Sequence, residues 1–273
     1  MIARATRPLL EVRDLTLRFG SVTAFEDLSF DVARGELFAV IGPNGAGKTS
    51  LFNVLSRAYV PTAGSVRFEG TELLSLRMSG LAGAGVARTF QNLGLFGPLT
   101  ALENVLIGRH HLMRSGMLRT GVWLGYAQRE DRRHRAAALE ALEFAGIRRY
   151  AHAPVDTLSF GIQKRVEIAR ALAMEPKLML LDEPVAGMSA AEREEVTALV
   201  RRLHRERDLT LLLVEHDMGM VMQIAQRVLV LDFGRSIALG TPAEVQRDER
   251  VVRAYLGEEL EPAAADRVTA VRP

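Results

Sequence analysis

Apolar and polar residues alternate along the start of the chain. Leu10 and Val12, then Leu15, Leu17 and Phe19, share one side, and Leu28, Phe30 and Val32 repeat the pattern with Asp27, Ser29 and Asp31 opposite. A period of two with one polar side predicts antiparallel strands solvated on one face. Arg34-Gly35 marks a turn, after which the pattern changes. Leu37-Phe38-Ala39-Val40-Ile41 is continuously apolar, as in a strand covered on both faces. A glycine-rich stretch follows, then helical spacing from about Lys48 to Arg57, and Val66 and Phe68 among glycines suggest another hairpin. From about residue 96 to 155 the chain is rich in Ala, Leu, Arg and His. Its apolar residues there are spaced as in a helix, for example Ala137, Leu139, Ala141, Leu142 and Ala145, and a charge run, REDRRHR, occupies 129–135. Buried-strand runs return at Leu178–Leu181, Leu209–Val214 and Val228–Leu231, with helical patterns between them. This alternation predicts an α/β sheet with helices on its faces, interrupted by a helical insertion.

Composition narrows the class. A length of 273 residues suits one large domain or two at most, and can bury a substantial core unaided. With no cysteine there is no disulfide framework, Cys–zinc site, Fe–S cluster or thiol nucleophile. Basic and acidic residues nearly balance at 35 and 33. Only three of the basic residues are Lys (Lys48, Lys164 and Lys177), a bias that reads as compositional and not as a nucleic-acid surface. No apolar run approaches the roughly 18–20 residues that span a bilayer, and MIARATRPLL has too short an apolar stretch for a signal peptide. The expectation is a soluble globular chain with loose ends at residues 1–8 and 258–273.

Two segments carry chemistry. Gly42-Pro43-Asn44-Gly45-Ala46-Gly47-Lys48-Thr49 matches G-x-x-x-x-G-K-[ST]. Glycines let backbone amides turn inward around phosphate oxygens, and a helix opening near Lys48 presents its positive dipole end to the same anion. Lys48 supplies a charge for the β- and γ-phosphates, Thr49 offers a hydroxyl to Mg²⁺, and Ser50 follows in the same first turn. A Gly-rich turn with an exposed Lys would not need a buried strand before it and a helix after it, and this stretch has both. The second segment, Leu178-Met179-Leu180-Leu181-Asp182-Glu183, is a buried strand ending in two acids. Taken alone these are solvated carboxylates. Beside a phosphate loop, Asp182 is placed to hold Mg²⁺, and Glu183 to orient or deprotonate a water that attacks the γ-phosphate.

Together with further motifs in fixed order, the chain resembles the ATP-binding subunit of an ABC transporter over about residues 9 to 257. Thr89-Phe90-Gln91-Asn92 is similar to the family's Q-loop, Leu158-Ser159-Phe160-Gly161-Ile162-Gln163 to its signature LSGGQ, and Val214-Glu215-His216-Asp217 to its switch region. The resemblance implies a P-loop nucleotide hydrolase core with an antiparallel β subdomain (9–90 and 175–257) and an inserted helical subdomain (91–174). It implies that Gln91 senses Mg²⁺ and the attacking water, that His216 contacts the γ-phosphate and that Phe19 lies under the adenine. It implies that Ser159, Phe160 and Gly161 serve the nucleotide of an opposite subunit. Two ATP molecules would be sandwiched in a head-to-tail dimer, with a second copy or a related ATPase as partner, and the cycle would drive membrane permeases. Three departures stand out. Phe160 replaces the first glycine of the signature's pair, Ile162 stands where Gln is usual, and Ser189 in Pro184-Val185-Ala186-Gly187-Met188-Ser189 lacks the usual carboxylate.

More narrowly, Val86–Asn92, Leu95-Phe96, the aromatic at position 160 and the ending Tyr255-Leu256-Gly257-Glu258 resemble the branched-chain amino-acid uptake group. The length of the insertion favours the larger of its two ATPase subunits. Such a subunit would be peripheral on the cytoplasmic side of the inner membrane and coupled indirectly to a substrate-binding protein. Urea and short-amide importers share these features. A soluble non-transport ABC ATPase is disfavoured by the presence of a single cassette and the absence of long heptad arms, and a GTPase by the lack of N-K-x-D. Asp232-Phe233-Gly234 has no kinase context and reads as a hairpin turn. His110, His111 and His134 lack a ligand set. The REDRRHR run reads as a solvated helix face or, more sharply, as a contact with lipid headgroups or a permease loop.

Overall fold

The computed structural model describes residues 7–89, 93–113 and 124–259. Among them the strands are β1 (Leu10–Phe19), β2 (Val22–Val32), β3 (Leu37–Ile41), β4 (Ala63–Phe68), β5 (Thr71–Glu72), β6 (Val86–Arg88), β7 (Leu178–Asp182), β8 (Thr210–Val214), β9 (Arg227–Asp232) and β10 (Arg235–Gly240). The helices are α1 (Lys48–Leu55), α2 (Leu81–Ala84), α3 (Ala101–Gly108), α4 (Leu124–Phe144), α5 (Phe160–Ala173), α6 (Ala190–Arg207), α7 (Met218–Ile224), α8 (Pro242–Arg247) and α9 (Glu249–Glu259).

The alternating segments form an antiparallel sheet in the order β2-β1-β4-β5. Leu28, Phe30 and Val32 are buried there while Asp27 and Ser29 are exposed, as the period of two requires. The continuous apolar runs form the second sheet, ordered β10-β9-β3-β8-β7-β6 and parallel apart from the β9–β10 hairpin. Its central strands are buried on both faces, and their alternate side chains feed two cores. Leu37, Ala39 and Ile41 of β3, with Leu211 and Leu213 of β8, pack on the side of α3–α7. Phe38 and Val40, with Leu212 and Val214, pack on the side of α1 and the antiparallel sheet. Each fully buried Leu or Phe contributes about 2 kcal/mol, so a polar residue in these runs would damage one core or the other.

The middle block is helical, as its spacing predicts. Thr100 and Glu103 form a capping box that starts α3, and α5 packs on α3, α4 and α6. The REDRRHR run lies on α4 with its Arg side chains exposed, but His134 turns inward, where its Nδ1 accepts a hydrogen bond from Arg109 Nε at 3.0 Å.

The Asp232-Phe233-Gly234 segment is the β9–β10 turn. Phe233 (φ 41°) and Gly234 (φ 76°) are both left-handed, as a two-residue type I′ hairpin requires. Gly234 also joins the two sheets. Its carbonyl accepts from the Glu26 amide of β2 at 2.9 Å, and its own amide donates to the Ala46 carbonyl at 3.2 Å. A Cβ at Gly234 would lie 2.6 Å from the Ala24 carbonyl oxygen and 2.8 Å from Phe25 Cα. Gly234→Ala is therefore expected to cost about 3 kcal/mol in urea unfolding, from a left-handed φ plus overpacking against backbone. Gly20→Ala, at φ 58° with open space around it, is expected to cost only about 1 kcal/mol.

Candidate active site

In a parallel sheet all carboxyl ends lie at one edge. Here β3, β8, β7 and β6 are consecutive neighbours, so the segments that leave them are brought together. From β3 comes the glycine-rich loop, from β7 Asp182-Glu183, from β8 Glu215-His216, and from β6 the stretch that leads through Thr89 to Gln91. Gln91 itself lies outside the described residues.

The loop's glycines answer to different constraints. Gly42 (φ 150°) and Gly47 (φ 97°) are hemmed in: a Cβ would lie 2.0 Å from the Leu231 carbonyl oxygen at the first and 2.6 Å from that of Ala24 at the second. Gly45 (φ 78°) has open space on that side. Pro43 and Ala46 are buried, and Asn44, Gly45 and Thr49 are exposed. Gly47 is the N-cap of α1 and no side chain caps the helix, so the amides of Lys48, Thr49 and Ser50 have no acceptor within it. Lys48 is buried, and its Nζ donates to the Gly42 and Pro43 carbonyls at 2.5 and 2.7 Å. Uncapped amides, a positive helix end and an inward ammonium form a cradle for an anion the size of a phosphate chain.

Asp182 is buried at the end of β7. Its Oδ2 accepts from Arg88 Nη2 at 2.7 Å, and its amide donates to Thr89 Oγ1 at 3.2 Å. Its Oδ1 is buried with no hydrogen-bond partner among the described residues. A buried carboxylate oxygen without a donor suits a hard cation, so the donor set fits Mg²⁺. Glu183 follows in a left-handed conformation (φ 44°), its amide donating to the Val214 carbonyl of β8 at 2.9 Å. That conformation costs about 1–2 kcal/mol in a non-glycine residue, and it turns the chain sharply off the strand. His216 is exposed, with Nδ1 4.0 Å from Glu183 Oε2 and 3.9 Å from Glu215 Oε2.

The other expected residues lie elsewhere. Phe19 ends β1 at the sheet's turn, half-exposed, with the Tyr59 ring edge-on at 5.2 Å. Ser159 is the N-cap of α5 but makes no side-chain cap bond, and Phe160 is exposed behind it. Gly161 is buried against Glu192 of α6, not against the glycine-rich loop. The three signature residues thus form a second helix N-terminus apart from the first.

Two residues matter that the sequence left without a role. Arg88 holds Asp182 and also donates to Asn53 Oδ1 at 2.8 Å and Ser56 Oγ at 2.5 Å, which ties the β6 end to the last turn of α1. Glu215 is fully buried and accepts from the amides of Val185 (3.1 Å), His216 (3.0 Å) and Asp217 (3.1 Å). Burial raises its pKa and the amides partly oppose that. Both stood inside motifs quoted for their neighbours. An acid directly after an apolar strand was the only signal for Glu215, and the basic partner that a buried Asp needs was the only one for Arg88.

With this geometry in hand, comparisons with known proteins are specific. The family described as ABC transporter matches residues 25–186, and that described as branched-chain amino acid ATP-binding cassette transporter matches residues 235–261. The chain is similar to the high-affinity branched-chain amino acid transport ATP-binding protein BraF of Pseudomonas aeruginosa. The two are 39% identical over 254 residues, which is 93% of this chain and 99% of the relative. It is also similar to the ADP conformation of an ATP-binding cassette of an ABC transporter, with a TM-score of 0.80 and 30% identity, covering 92% of this chain and 100% of the other. A dimeric bacterial ABC transporter cassette aligns with a TM-score of 0.73 and 26% identity, over 85% of this chain and 98% of the other.

Glu215→Ala removes the acceptor of three amides, the buried one of Val185 and the part-buried ones of His216 and Asp217. The expected cost is about 3 kcal/mol in urea unfolding. Nucleotide turnover is expected to fall more than nucleotide affinity, measured by fluorescent-nucleotide titration beside phosphate release.

Proposed function

The chain belongs to the ABC transporter family of ATP-binding proteins, and we propose that it hydrolyses ATP through the residues gathered at the carboxyl edge of its parallel sheet to drive import of branched-chain amino acids. The observation that carries this reading is the convergence of Lys48 and its loop, Asp182, Glu183 and His216 on segments leaving neighbouring strands. The match at residues 235–261 and the relatives named for branched-chain amino acid transport support the substrate class.

In this reading the phosphates of ATP lie along Gly42–Gly47 and accept hydrogen bonds from the amides that open α1. Pro43, Asn44 and Ala46 contribute backbone to the cradle, and Ser50 stands with Thr49 at the helix opening. Lys48 Nζ turns from the loop carbonyls to the β- and γ-phosphate oxygens. Adenine stacks on Phe19 beside Tyr59. Thr49 and Asp182, with Gln91, would hold Mg²⁺, which when bound neutralises charge on the phosphates. Glu183 accepts a proton from the water that attacks the γ-phosphorus in line with the leaving ADP oxygen, giving ADP and inorganic phosphate. His216 donates to a γ-phosphate oxygen, and Glu215 keeps it in place by fixing the backbone around it.

The partners follow from the second helix N-terminus. Ser159, Phe160 and Gly161 would meet the nucleotide held by the opposite subunit, either a second copy or a related ATPase. The dimer's opening and closing would move permease subunits served by a substrate-binding protein. Among the described residues no helix is long and apolar enough to cross a membrane, which suits a peripheral subunit on the cytoplasmic face of the inner membrane. Residues 9–257 would form the cassette, with the core and β part at 9–90 and 175–257 and the helical part at 91–174.

Lys48→Ala is expected to weaken ATP binding about 10- to 100-fold, the value of a charge-assisted hydrogen bond to phosphate; unchanged affinity in a titration would remove the phosphate-loop assignment. Glu183→Gln keeps the acid's shape and loses its basicity. It is expected to abolish phosphate release while ATP drives a stable dimer in size-exclusion chromatography, alone or with the partner ATPase. A variant that still hydrolyses ATP would refute the role given to Glu183.

A further inference from the structure

The N-termini of α1 and α5 differ in what covers them. That of α1 is backed by a lysine. That of α5 is backed by an acid: a Cβ at Gly161 would lie 2.7 Å from Glu192 Oε1 and 3.0 Å from its Cδ and Cγ. The carboxylate therefore rests directly on the first turn of α5, in the space that Gly161 leaves by having no side chain. Its other oxygen closes the capping box of α6, where Oε2 accepts from Ser189 Oγ at 2.8 Å and from the Ser189 amide at 3.1 Å. The Ser189 hydroxyl and amide hold the carboxyl below the ordinary glutamate range, and the Gly161 amide and Arg165 add to this. Arg165 is engaged with Glu195 Oε2 at 2.6 Å. The N-cap of α5, Ser159, makes no cap bond to its own helix, so Glu192 is the acidic side chain resting on the start of that helix.

A carboxylate at a helix N-terminus meets the same amides and the same positive dipole end that a phosphate would. Two anions cannot share that place. We propose that Glu192 is an internal occupant of the α5 N-terminus that the γ-phosphate of the opposite subunit's nucleotide must displace, so that this residue sets how much ATP the dimer needs. This rests on the reading of Ser159, Phe160 and Gly161 as the surface for a second subunit's nucleotide. It also gives Ser189 a part. A serine can cap α6 and anchor Glu192 at once, whereas an aspartate at that position would set a second negative charge beside the same carboxylate.

The test compares Glu183→Gln with Glu183→Gln/Glu192→Gln as full-length chains. Gln still closes a capping box with Ser189, so the fold is expected to hold with a thermal midpoint only slightly lower, while the negative charge is gone. Dimerisation against ATP concentration is read by sedimentation. The expected result is half-dimerisation at about tenfold less ATP in the double variant. An identical ATP dependence in the two proteins would overturn the role of Glu192 and leave the sandwich dimer standing. If neither protein dimerises at any ATP concentration, alone or with the partner ATPase, the sandwich reading fails and this inference fails with it.

Discussion

Two glycines meet one carbonyl, and the site depends on that meeting. Gly47 at the opening of α1 and Gly234 in the β9–β10 turn both lie so close to the Ala24 carbonyl that a Cβ on either would stand 2.6 Å from it. Gly42 makes a similar approach to the Leu231 carbonyl at the end of β9. Antiparallel sheet, phosphate loop and parallel sheet are thus joined backbone to backbone. Backbone contacts have no rotamers through which to relax, so misplacing one part misplaces the others. Ala24 lies in the antiparallel sheet and Gly47 follows a strand of the parallel one, so this contact fixes the spacing between them.

Around that frame the acids divide by environment. Asp182 is buried and paired with Arg88 through one oxygen, and Glu215 is buried and accepts three amides. A buried charge persists only with such partners, and both residues are held by them. Glu183 and His216 are more exposed, with 4.0 Å between their nearest polar atoms, too far for a hydrogen bond. In this reading Asp182 holds a cation and Glu215 holds backbone, and the more exposed Glu183 and His216 are left to handle protons and the departing phosphate. The left-handed φ of Glu183 is tolerated because its amide is tied to β8.

Much of this was legible in the sequence because local pattern and tertiary role coincide. A period of two gave the solvated sheet and unbroken apolar runs gave β3, β7, β8 and β9. A two-residue turn ending in glycine gave the β9–β10 hairpin. The short strand β6 was not legible as a strand, since three residues cannot display a period. The partners of the buried charges were not legible either. Arg88 meets Asp182 from 94 positions away, and Glu215 meets Val185 from 30. Spacing carries no trace of such pairs, although the need for a partner follows once an acid is known to be buried. The inward turn of His134 within a charge run was hidden for the same reason, since Arg109 lies on another element.

The signature region shows how departures from a family pattern can be mutually consistent. Ile162 packs against the core on the side of α3–α7, where a glutamine side chain would need a polar partner. Phe160 stands exposed beside it, an apolar surface on the face where a second subunit would close. Ser189 gives up a carboxylate, yet an acid remains close by, because Glu192 lies over Gly161 and is bonded to Ser189. The cassette therefore presents two unequal anion surfaces. The first, at Lys48, lacks any capping side chain and carries its own cation, so in the proposed reading it would take a nucleotide in a single chain. The second already has an anion resting on it. In the proposed reading, filling it would exchange a carboxylate held by one's own chain for a phosphate held by another, which would be favourable only when the remaining contacts of the dimer form together. In that reading the inequality would order the events, with nucleotide bound first in each chain and the dimer closing second.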